Sequence, residues 1–222
     1  MLDILYEDNH IIVCYKPKGI LSQADGSNKD DMLTIIKKYI KEKYNKPGDV
    51  YLGLVHRLDI NTSGVMVFAK TSKAASRLSE QIKNNEFKKE YLALVEGNLT
   101  NKNYVELISY IRKDEKLKKS FIDSSGQKSI LEYKVISNSQ INNQNVTLIN
   151  IKLHTGRFHQ IRCQMASIKH PLYGDKKYGS KNIIAALEFP LYAYKLSIVH
   201  PTLKNEMTFE KIENNYLLNG LL

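Results

Sequence analysis

The apolar residues of this chain form two segments with helical periodicity and several shorter runs. In residues 30–44 and 71–85 they recur every three or four positions, which is the spacing of one helix face. Asp30 or Asp31 is the expected N-cap of the first helix, and Ser72 that of the second. The residues expected to face the core are Leu33, Ile36, Ile40 and Tyr44 in the first helix, and Ala75, Leu78 and Ile82 in the second.

Shorter apolar runs bounded by Gly, Pro, Asn and Asp predict strands. The run 64–70 is apolar almost throughout, so we expect it at the centre of a sheet. Residues 103–153 are interpreted as successive strands, with the clearest loops at 124–127 and 137–145, the second a mobile hairpin tip. Further strands are predicted within 4–16, 50–59, 87–97, 191–201 and 207–212. The sum is an α+β fold, a mixed and mostly antiparallel β-sheet core with flanking helices, in one domain over 1–222.

The charge balance favours an anionic partner. The chain has 33 Lys and Arg against 23 Asp and Glu, a formal net charge of +10, and nucleic acid is the leading candidate. The alternative is a basic protein whose charge serves only its solubility. No apolar run approaches the ~18 residues of a membrane span, and the first residues lack the pattern of a secretory signal. A cytoplasmic monomer that does not enter a membrane is expected.

One acid stands out in HRLDINTSGVMVFAK, residues 56–70. Asp59 follows Arg57 by two positions, so both side chains point to one face if the segment is extended. The Thr-Ser-Gly sequence at 62–64 offers hydroxyl groups and a flexible backbone that can hold the loop of the carboxylate in one shape. The alternative is that Asp59 only forms a turn, as carboxylates at such junctions often do.

A second candidate lies in TGRFHQIRCQMASIK, residues 155–169, a predicted turn and helix. Arg162 falls at the margin of an apolar stripe, and a buried guanidinium is costly without a carboxylate partner. Either Arg162 extends along its stem to water, or it meets a buried acid, for which Asp59 is the best candidate. Such a pair would keep Asp59 ionised, as a nucleophile requires, whereas no second acid supports a glycosidase-like pair.

Other polar residues indicate contacts rather than chemistry. Tyr91 follows a pair of lysines and a glutamate, and its ring either packs within the sheet or stacks on a base. The histidines are scattered, so no metal is expected, and His154 and His159 are interpreted as hydrogen-bond or phosphate contacts. The segment 173–181 exposes lysines that suit either phosphate or water. No glycine pattern for a nucleotide occurs, and no cofactor is expected.

These motifs resemble those of the RluA-type (RluA/RluD-like) RNA pseudouridine synthases. Residues 56–70 are similar to the active-site motif of that family, and further stretches agree with it in order and spacing. Those stretches are YKPKG at 15–19, KKEYLALVEG at 88–97, the segment 154–179 and LYAYKLSIVHP at 191–201. The likeness runs from about residue 4 to 210 and concerns the catalytic domain only. The small RNA-binding domain that precedes it in many relatives is expected to be absent.

The resemblance implies a role for each of five residues. Asp59 would be the catalytic nucleophile, and Arg57 would help to displace the target nucleotide. Tyr91 would contact the flipped base, and Leu191 would line the pocket. Arg162 would pair with Asp59.

Two positions depart from the family pattern. Gln164 stands where many relatives have histidine, and Tyr192 stands where many have the histidine of a Leu-His-Ala sequence. Neither residue has a chemical role in the scheme that the resemblance implies. Both are expected to affect the fit of the substrate more than catalysis.

The function implied is isomerisation of specific uridines to pseudouridine in structured RNA. Ribosomal RNA is the favoured substrate and transfer RNA the alternative, with specificity supplied by loops such as 138–145 and 174–181. The rival is a non-catalytic RNA-binding or ribosome-assembly protein on the same scaffold. That rival explains the charge but leaves Arg57, Asp59 and Arg162 without a purpose. A hydrolase based on Asp59 fits less well, because a second acid and metal ligands are missing.

Overall fold

The computed structural model describes residues 2–212. Within that part the α-helices are α1 (Met32–Lys43), α2 (Ser72–Lys83) and α3 (Gln160–Ser167). The strands are β1 (Asp3–Glu7), β2 (Ile11–Lys16), β3 (Gly53–Leu54), β4 (Ser63–Ala69), β5 (Lys88–Glu96), β6 (Val105–Asp114), β7 (Lys119–Ile122), β8 (Gln127–Ile141), β9 (Gln144–Leu153), β10 (Leu191–Val199) and β11 (Glu206–Glu210). More residues lie in strands than in helices, and the strands pair mostly antiparallel, which confirms the predicted α+β class.

The chain divides into two compact units, which are described separately. The first contains residues 2–88 and 193–212, and the second contains residues 89–192.

Strand β4 is the centre of the first unit. All seven of its residues are buried, β2 pairs with it antiparallel along its length, and β10 is its other neighbour. β1 pairs with β2, and β11 pairs with β10. Gly64 has a φ of +147°, and a Cβ at this position would lie 2.2 Å from the carbonyl oxygen of Ala193, so only glycine allows this approach. The central place predicted for this apolar run is confirmed.

Both predicted helices are present, and one cap differs from its prediction. Asp31 caps α1, its Oδ1 accepting from the backbone N–H of Thr34 at 3.0 Å. Thr71, not Ser72, caps α2, because its Oγ1 accepts from the N–H of Ala74 at 3.1 Å. The two hydroxyl residues are adjacent and chemically equivalent, and only the backbone geometry separates them.

The helices cover the sheet with the apolar residues that their period selects. Ile36 and Ile40 of α1 are buried, whereas Tyr44 is 44% exposed, so its predicted place on the buried stripe is wrong. Leu78 of α2 belongs to the core of this unit, as predicted, and Ala75 and Ile82 are partly buried against that core. Ala74, which was not predicted to face inward, is buried in it. That core also contains Ile11, Val13, Val65, Val67, Ala69, Phe87, Leu196 and Ile198.

A buried carboxylate connects β1 to α1. The side chain of Glu7 is 7% exposed and accepts hydrogen bonds from Lys43 and Lys70, both at 2.7 Å, and from the hydroxyls of Tyr39 and Tyr44, both at 2.9 Å. Burial alone would raise the pKa of Glu7, but these hydrogen bonds outweigh burial and lower the pKa to about 2. The hydroxyl of Tyr44 reaches Glu7 from the exposed end of α1, which explains why this ring is not on the buried stripe.

The free energy of unfolding should therefore decrease in acid, because the carboxylate of Glu7 becomes protonated. A folded-state pKa below the usual 4.5 contributes stability that is complete above pH 4.5 and lost as the pH falls through about 2. The contribution is on the order of 3 kcal/mol. Urea unfolding between pH 2 and 6 should show a steeper loss for the wild type than for Glu7→Gln. Glu42→Gln, which removes an exposed acid of α1, should show the same dependence of the free energy of unfolding on pH as the wild type. If this free energy falls equally steeply in Glu7→Gln and in the wild type, the prediction is contradicted.

The second unit is built on five strands in the order β5-β9-β8-β6-β7. Neighbouring strands run antiparallel, and the pairing of β8 with β9 extends from Leu131↔Leu153 to Ile141↔Gln144. A hairpin tip lies within 137–145 as predicted, but the predicted length of the loop is wrong, because only Asn142 and Asn143 stand outside the strands. Their φ angles of 49° and 60° are left-handed, as a two-residue hairpin turn requires, and asparagine tolerates this conformation.

Helix α3 is shorter than its apolar pattern indicates. His159 has a left-handed φ of 52° and is the N-cap, so the helix cannot extend back to Phe158. Ile161 and Met165 are buried, as the pattern predicts. Ile168 is the C-cap residue.

Candidate active site

Asp59 lies within the irregular segment 55–62 between β3 and β4. Because β3 ends at Leu54, the strand predicted over 50–59 is mostly wrong. The carbonyl of Asp59 accepts from the N–H of Thr62 at 3.0 Å, which closes a turn on residues 60–61 and not on the Thr-Ser-Gly sequence. Asp59 is partly buried, so its carboxylate belongs to neither the apolar core nor the open surface.

A buried lysine that was not among the predicted site residues acts on Asp59. Lys16 ends β2, is fully buried, and donates from Nζ to the carbonyl oxygens of Ile20 at 2.7 Å, Pro17 at 3.0 Å and Ile60 at 3.3 Å. Burial lowers the pKa of Lys16 to about 8, and the negative charge of Asp59 opposes that fall. The available signal was a cation that ends an otherwise apolar strand, directly before a proline.

His56 and Arg57 precede Asp59 and differ in their surroundings. Nε2 of His56 accepts from the N–H of Val67 at 3.1 Å, and its ring packs edge-on against Phe87 with the centroids 5.0 Å apart. His56 therefore holds this segment against β4. The side chain of Arg57 is exposed, which leaves its guanidinium accessible to a partner.

Two candidates of the second unit are buried in strands. Tyr91 lies on β5, opposite Ile151 of β9, and Leu191 is the first residue of β10. Both are withdrawn from solvent. A buried ring and a buried aliphatic side chain suit the wall of a pocket, and the contact of either with a base stays a prediction.

Arg162 meets a buried acid, and that acid is Asp175. Its Nε and Nη2 donate to the two carboxylate oxygens of Asp175 at 2.6 and 2.8 Å. The side chains are 13% and 1% exposed, so the pair is largely withdrawn from water. The guanidinium also lies 4.9 Å from the ring centre of Tyr178 and 5.2 Å from that of Phe189.

This pairing changes the interpretation of the arginine. A fixed bidentate bond orients the guanidinium and ties α3 to the loop that follows it. A buried acid partner is predicted from the sequence, with Asp59 as the candidate; Asp175 was missed, although it lies only 13 positions away in the chain. Asp59 and Arg162 belong to different units, and their pairing stays a prediction.

The first departure from the family pattern has a structural role. Gln164 is fully buried, and its Nε2 donates to the carbonyl oxygen of Leu107 and to Oγ of Ser109, both at 3.1 Å. Its Oε1 accepts from Nε2 of Gln160 at 2.9 Å. The amide therefore joins α3 to β6. Tyr192, the second departure, is buried near the start of β10.

His159 is a hydrogen-bonding residue and not a cation. Its Nδ1 lies 3.0 Å from the hydroxyl of Tyr178, and its ring stacks on Phe158 with the centroids 3.8 Å apart. Burial lowers the pKa of His159 to about 3, and the positive charges of Arg162 and Lys177 act in the same direction. Of the two predicted interpretations, hydrogen bonding is the one that the contacts of this residue support.

The basic loop presents its lysines to solvent as predicted. Lys176, Lys177 and Lys181 are exposed, and Nζ of Lys177 donates to the carbonyl oxygen of Lys118 at 3.1 Å. The other histidine of the predicted contacts, His154, lies 3.1 Å from a carboxylate oxygen of Glu132. Exposed cations on a folded loop suit an anionic partner.

Two further observations concern residues 2–212 alone. In this range no three or more His, Cys, Asp or Glu residues are grouped so that they could hold a metal ion. None of the helices in the same range has the length and apolar character needed to cross a membrane.

Comparison with known proteins gives consistent matches. The family model described as RNA pseudouridylate synthase matches residues 10–167. An uncharacterized RNA pseudouridine synthase of Aquifex aeolicus (strain VF5) is 35% identical over 94% of this chain and 68% of its own length. The dual-specificity RNA pseudouridine synthase RluA of Salmonella typhimurium is 35% identical over 94% of this chain and 92% of its own length. The ribosomal large subunit pseudouridine synthase D of Borreliella burgdorferi is 35% identical, and the chain spans only 60% of its length.

Solved structures share the fold. The human RNA Pseudouridylate Synthase Domain Containing 4 aligns with a TM-score of 0.75 and 22% identity, over 99% of this chain and 92% of that one. At this identity the likeness concerns the fold alone. The family match and the sequence relatives establish that the chain belongs to the RluA-type RNA pseudouridine synthases, a family of isomerases that convert uridine in RNA to pseudouridine.

Proposed function

We propose that this chain isomerises specific uridines to pseudouridine in ribosomal RNA, with transfer RNA as the alternative substrate. The observation that carries the proposal is Asp59, a partly buried carboxylate on a constrained turn in electrostatic contact with the buried cation Lys16. Relatives named for the large ribosomal subunit favour ribosomal RNA. The dual-specificity relative is the reason to retain a second substrate class.

The reaction needs no oxidant, reductant or added group. The bond between the ribose carbon and N1 of uracil breaks, the base turns, and carbon 5 forms the new bond to the same ribose carbon. Carbon 5 loses its proton and N1 gains one, so product and substrate have the same composition. Asp59 could attack the base, attack the sugar or take a proton from the sugar, and each of these roles requires an ionised carboxylate.

The surroundings of Asp59 favour its ionised form. With a pKa of about 8, Lys16 is mostly protonated at neutral pH, and a nearby cation stabilises a carboxylate. In this proposal Arg162, already oriented by Asp175, adds a second cation opposite Asp59. A general acid would need the reverse setting, either apolar or acidic, to hold its proton.

The target base must leave its stack before it can react. Extrusion of a nucleotide costs a few kcal/mol, which a side chain that fills the gap and a ring that receives the base can offset. The exposed guanidinium of Arg57 suits the first role. The buried ring of Tyr91 and the side chain of Leu191 suit the second. The exposed lysines of the loop 174–181 would contact phosphates as the protein, a monomer in this proposal, binds RNA.

Loss of tritium from carbon 5 tests the proposed activity directly. Unmodified transcripts of the large-subunit ribosomal RNA and of transfer RNAs, labelled with tritium at carbon 5 of uridine, are incubated with the protein. We expect release of tritium to water and pseudouridine in the digested product, from the ribosomal transcript above all. Tight binding of both transcripts without any release would support the non-catalytic alternative instead.

A further inference from the structure

The backbone around Asp59 is held by one short stretch of the same unit, residues 16–22. Residues 55–59 belong to no strand, so their N–H and C=O groups lack the ladder bonds of a sheet. The neighbours of Asp59 on both sides, Leu58 and Ile60, find partners in that stretch instead. What holds these two residues therefore decides where Asp59 stands.

Ser22 forms a reciprocal pair of hydrogen bonds with Leu58. Its Oγ donates to the carbonyl oxygen of Leu58 at 2.8 Å and accepts from the N–H of the same residue at 3.0 Å. Ser22 is 4% exposed, and Leu58 is buried as well, so both bonds are shielded from solvent. One hydroxyl thus bonds both the N–H and the C=O group of Leu58. In an antiparallel sheet, the residue opposite on the neighbouring strand forms these two bonds.

The other neighbour of Asp59 is anchored to the same stretch. The carbonyl oxygen of Ile60 accepts from the N–H of Gly19 at 2.8 Å and from Nζ of Lys16 at 3.3 Å. The carbonyl of Asp59 itself is taken by the turn to Thr62. Asp59 is therefore fixed from both sides, and on the N-terminal side Ser22 holds both backbone groups of Leu58.

Ser22 is itself held in place by α1. The N–H of Leu21 donates to the carbonyl of Asp30 at 3.0 Å, and the N–H of Met32 donates to the carbonyl of Leu21 at 2.8 Å. These bonds form an isolated parallel bridge of Leu21 to Asp31, the residue that caps α1. The start of the helix, the bridge and the hydroxyl thus form a continuous connection that ends at Leu58.

We propose that Ser22 is a positioning residue for Asp59, which sets the carboxylate in its reactive place through the backbone of Leu58. The inference rests on the proposed function, in which Asp59 carries the chemistry. A misplacement of ~1 Å can cost a reaction ~100-fold in rate, so removal of the anchor should slow catalysis well before it unfolds the protein. A residue that served stability alone would lower the amount of folded enzyme and leave the rate per folded molecule unchanged.

The experiment compares Ser22→Ala with Ser27→Ala in the full chain. Ser27 is an exposed serine of the same segment and provides the matched control. Single-turnover tritium release is measured with enzyme in excess over whichever labelled transcript, ribosomal or transfer, the wild type modifies. RNA affinity by filter binding and the folded fraction by urea titration are measured in parallel. We expect a loss of roughly 100-fold in the rate constant for Ser22→Ala, with an RNA Kd within about twofold, and no change for Ser27→Ala.

Two conservative variants separate positioning from bulk stability. Ser22→Thr keeps the hydroxyl and should recover most of the rate. Ser22→Cys keeps only a weak donor with a longer bond and should fall between wild type and Ser22→Ala. If Ser22→Ala does not fold, Ser22→Cys decides alone: a slowed rate with unchanged RNA affinity supports the proposal, and a wild-type rate overturns it.

The outcomes also separate this inference from the proposed function. An inactive Asp59→Asn together with a wild-type rate per folded molecule in Ser22→Ala would overturn the positioning role and leave the function intact. A fully active Asp59→Asn would remove Asp59 from the chemistry and overturn the role of Ser22 with it, while the isomerase activity would stand. No release from either transcript by the wild type would overturn the proposed function, on which the role of Ser22 rests.

Discussion

Asp59→Asn should abolish pseudouridine formation and leave the fold and RNA binding intact. Asparagine has nearly the same shape but cannot act as a nucleophile or a base, so we expect a loss on the order of 10⁴-fold or more. The backbone bonds at 58, 59 and 60 do not involve the carboxylate, which is why the turn should survive. Tritium release under single-turnover conditions measures the rate, and filter binding measures the affinity.

The control for this change is Asp49→Asn. Asp49 is an exposed acid of the same unit, and its loss alters the net charge by the same amount. It should keep the wild-type rate, so any general effect of charge on RNA binding appears in both variants. Asp59→Asn with a rate within tenfold of the wild type would remove this residue from the chemistry.

Arg162→Met should destabilise the fold more than any of the other single substitutions proposed. It leaves the carboxylate of Asp175, 1% exposed, without its bidentate partner. Breaking a buried ion pair from one side costs about 3–5 kcal/mol. Methionine keeps much of the packing volume between the rings of Tyr178 and Phe189, so most of the loss reports the charge. Urea unfolding at pH 7 gives the free energy of unfolding.

A double-mutant cycle isolates the pair. Asp175→Asn in the Arg162→Met background should restore part of the lost stability, because the uncompensated buried charge is gone. Arg157→Met, at an exposed arginine three positions before α3, should stay within about 0.5 kcal/mol of the wild type. Equal stability of Arg162→Met and Arg157→Met would show that the buried pair contributes nothing. Catalysis should also fall in Arg162→Met if the guanidinium assists Asp59.

The elements that could be predicted from the sequence are those whose burial determines the order of their apolar residues. The periods of α1 and α2 follow from one buried face, whereas β4 and residues 91–95 of β5 are continuous apolar runs because successive residues are buried. The strand residues 137–141 resemble a loop in sequence because this part of β8 contains almost no apolar side chains. Polar composition alone does not distinguish a loop from a hairpin arm that stands in water.

The parts of the site that were missed depend on distant segments. Lys16 is buried because carbonyl groups at 17, 20 and 60 converge on it, and no local pattern reports such a convergence. Asp175 could not be recognised as a partner because the path of the loop after α3 decides which acid reaches Arg162. The role of Ser22 likewise depends on the absence of a strand at Leu58, where a strand was predicted. The resemblance of the motifs identified the candidate residues. The contacts that support those residues depend on the three-dimensional fold.

The hairpin of β8 and β9 limits how this part of the protein can vary in length. Exposure alternates residue by residue along 137–141, and Asn138, on the more exposed face, is fixed by a hydrogen bond from its Nδ2 to the carbonyl of Leu99 at 3.1 Å. Inserting a single residue between this contact and the tip would turn every later side chain of the arm to the opposite face. A pair of residues added to each strand keeps the alternation and lengthens the arm. Natural or engineered extensions at this tip should therefore occur in even steps, and odd ones should require a bulge.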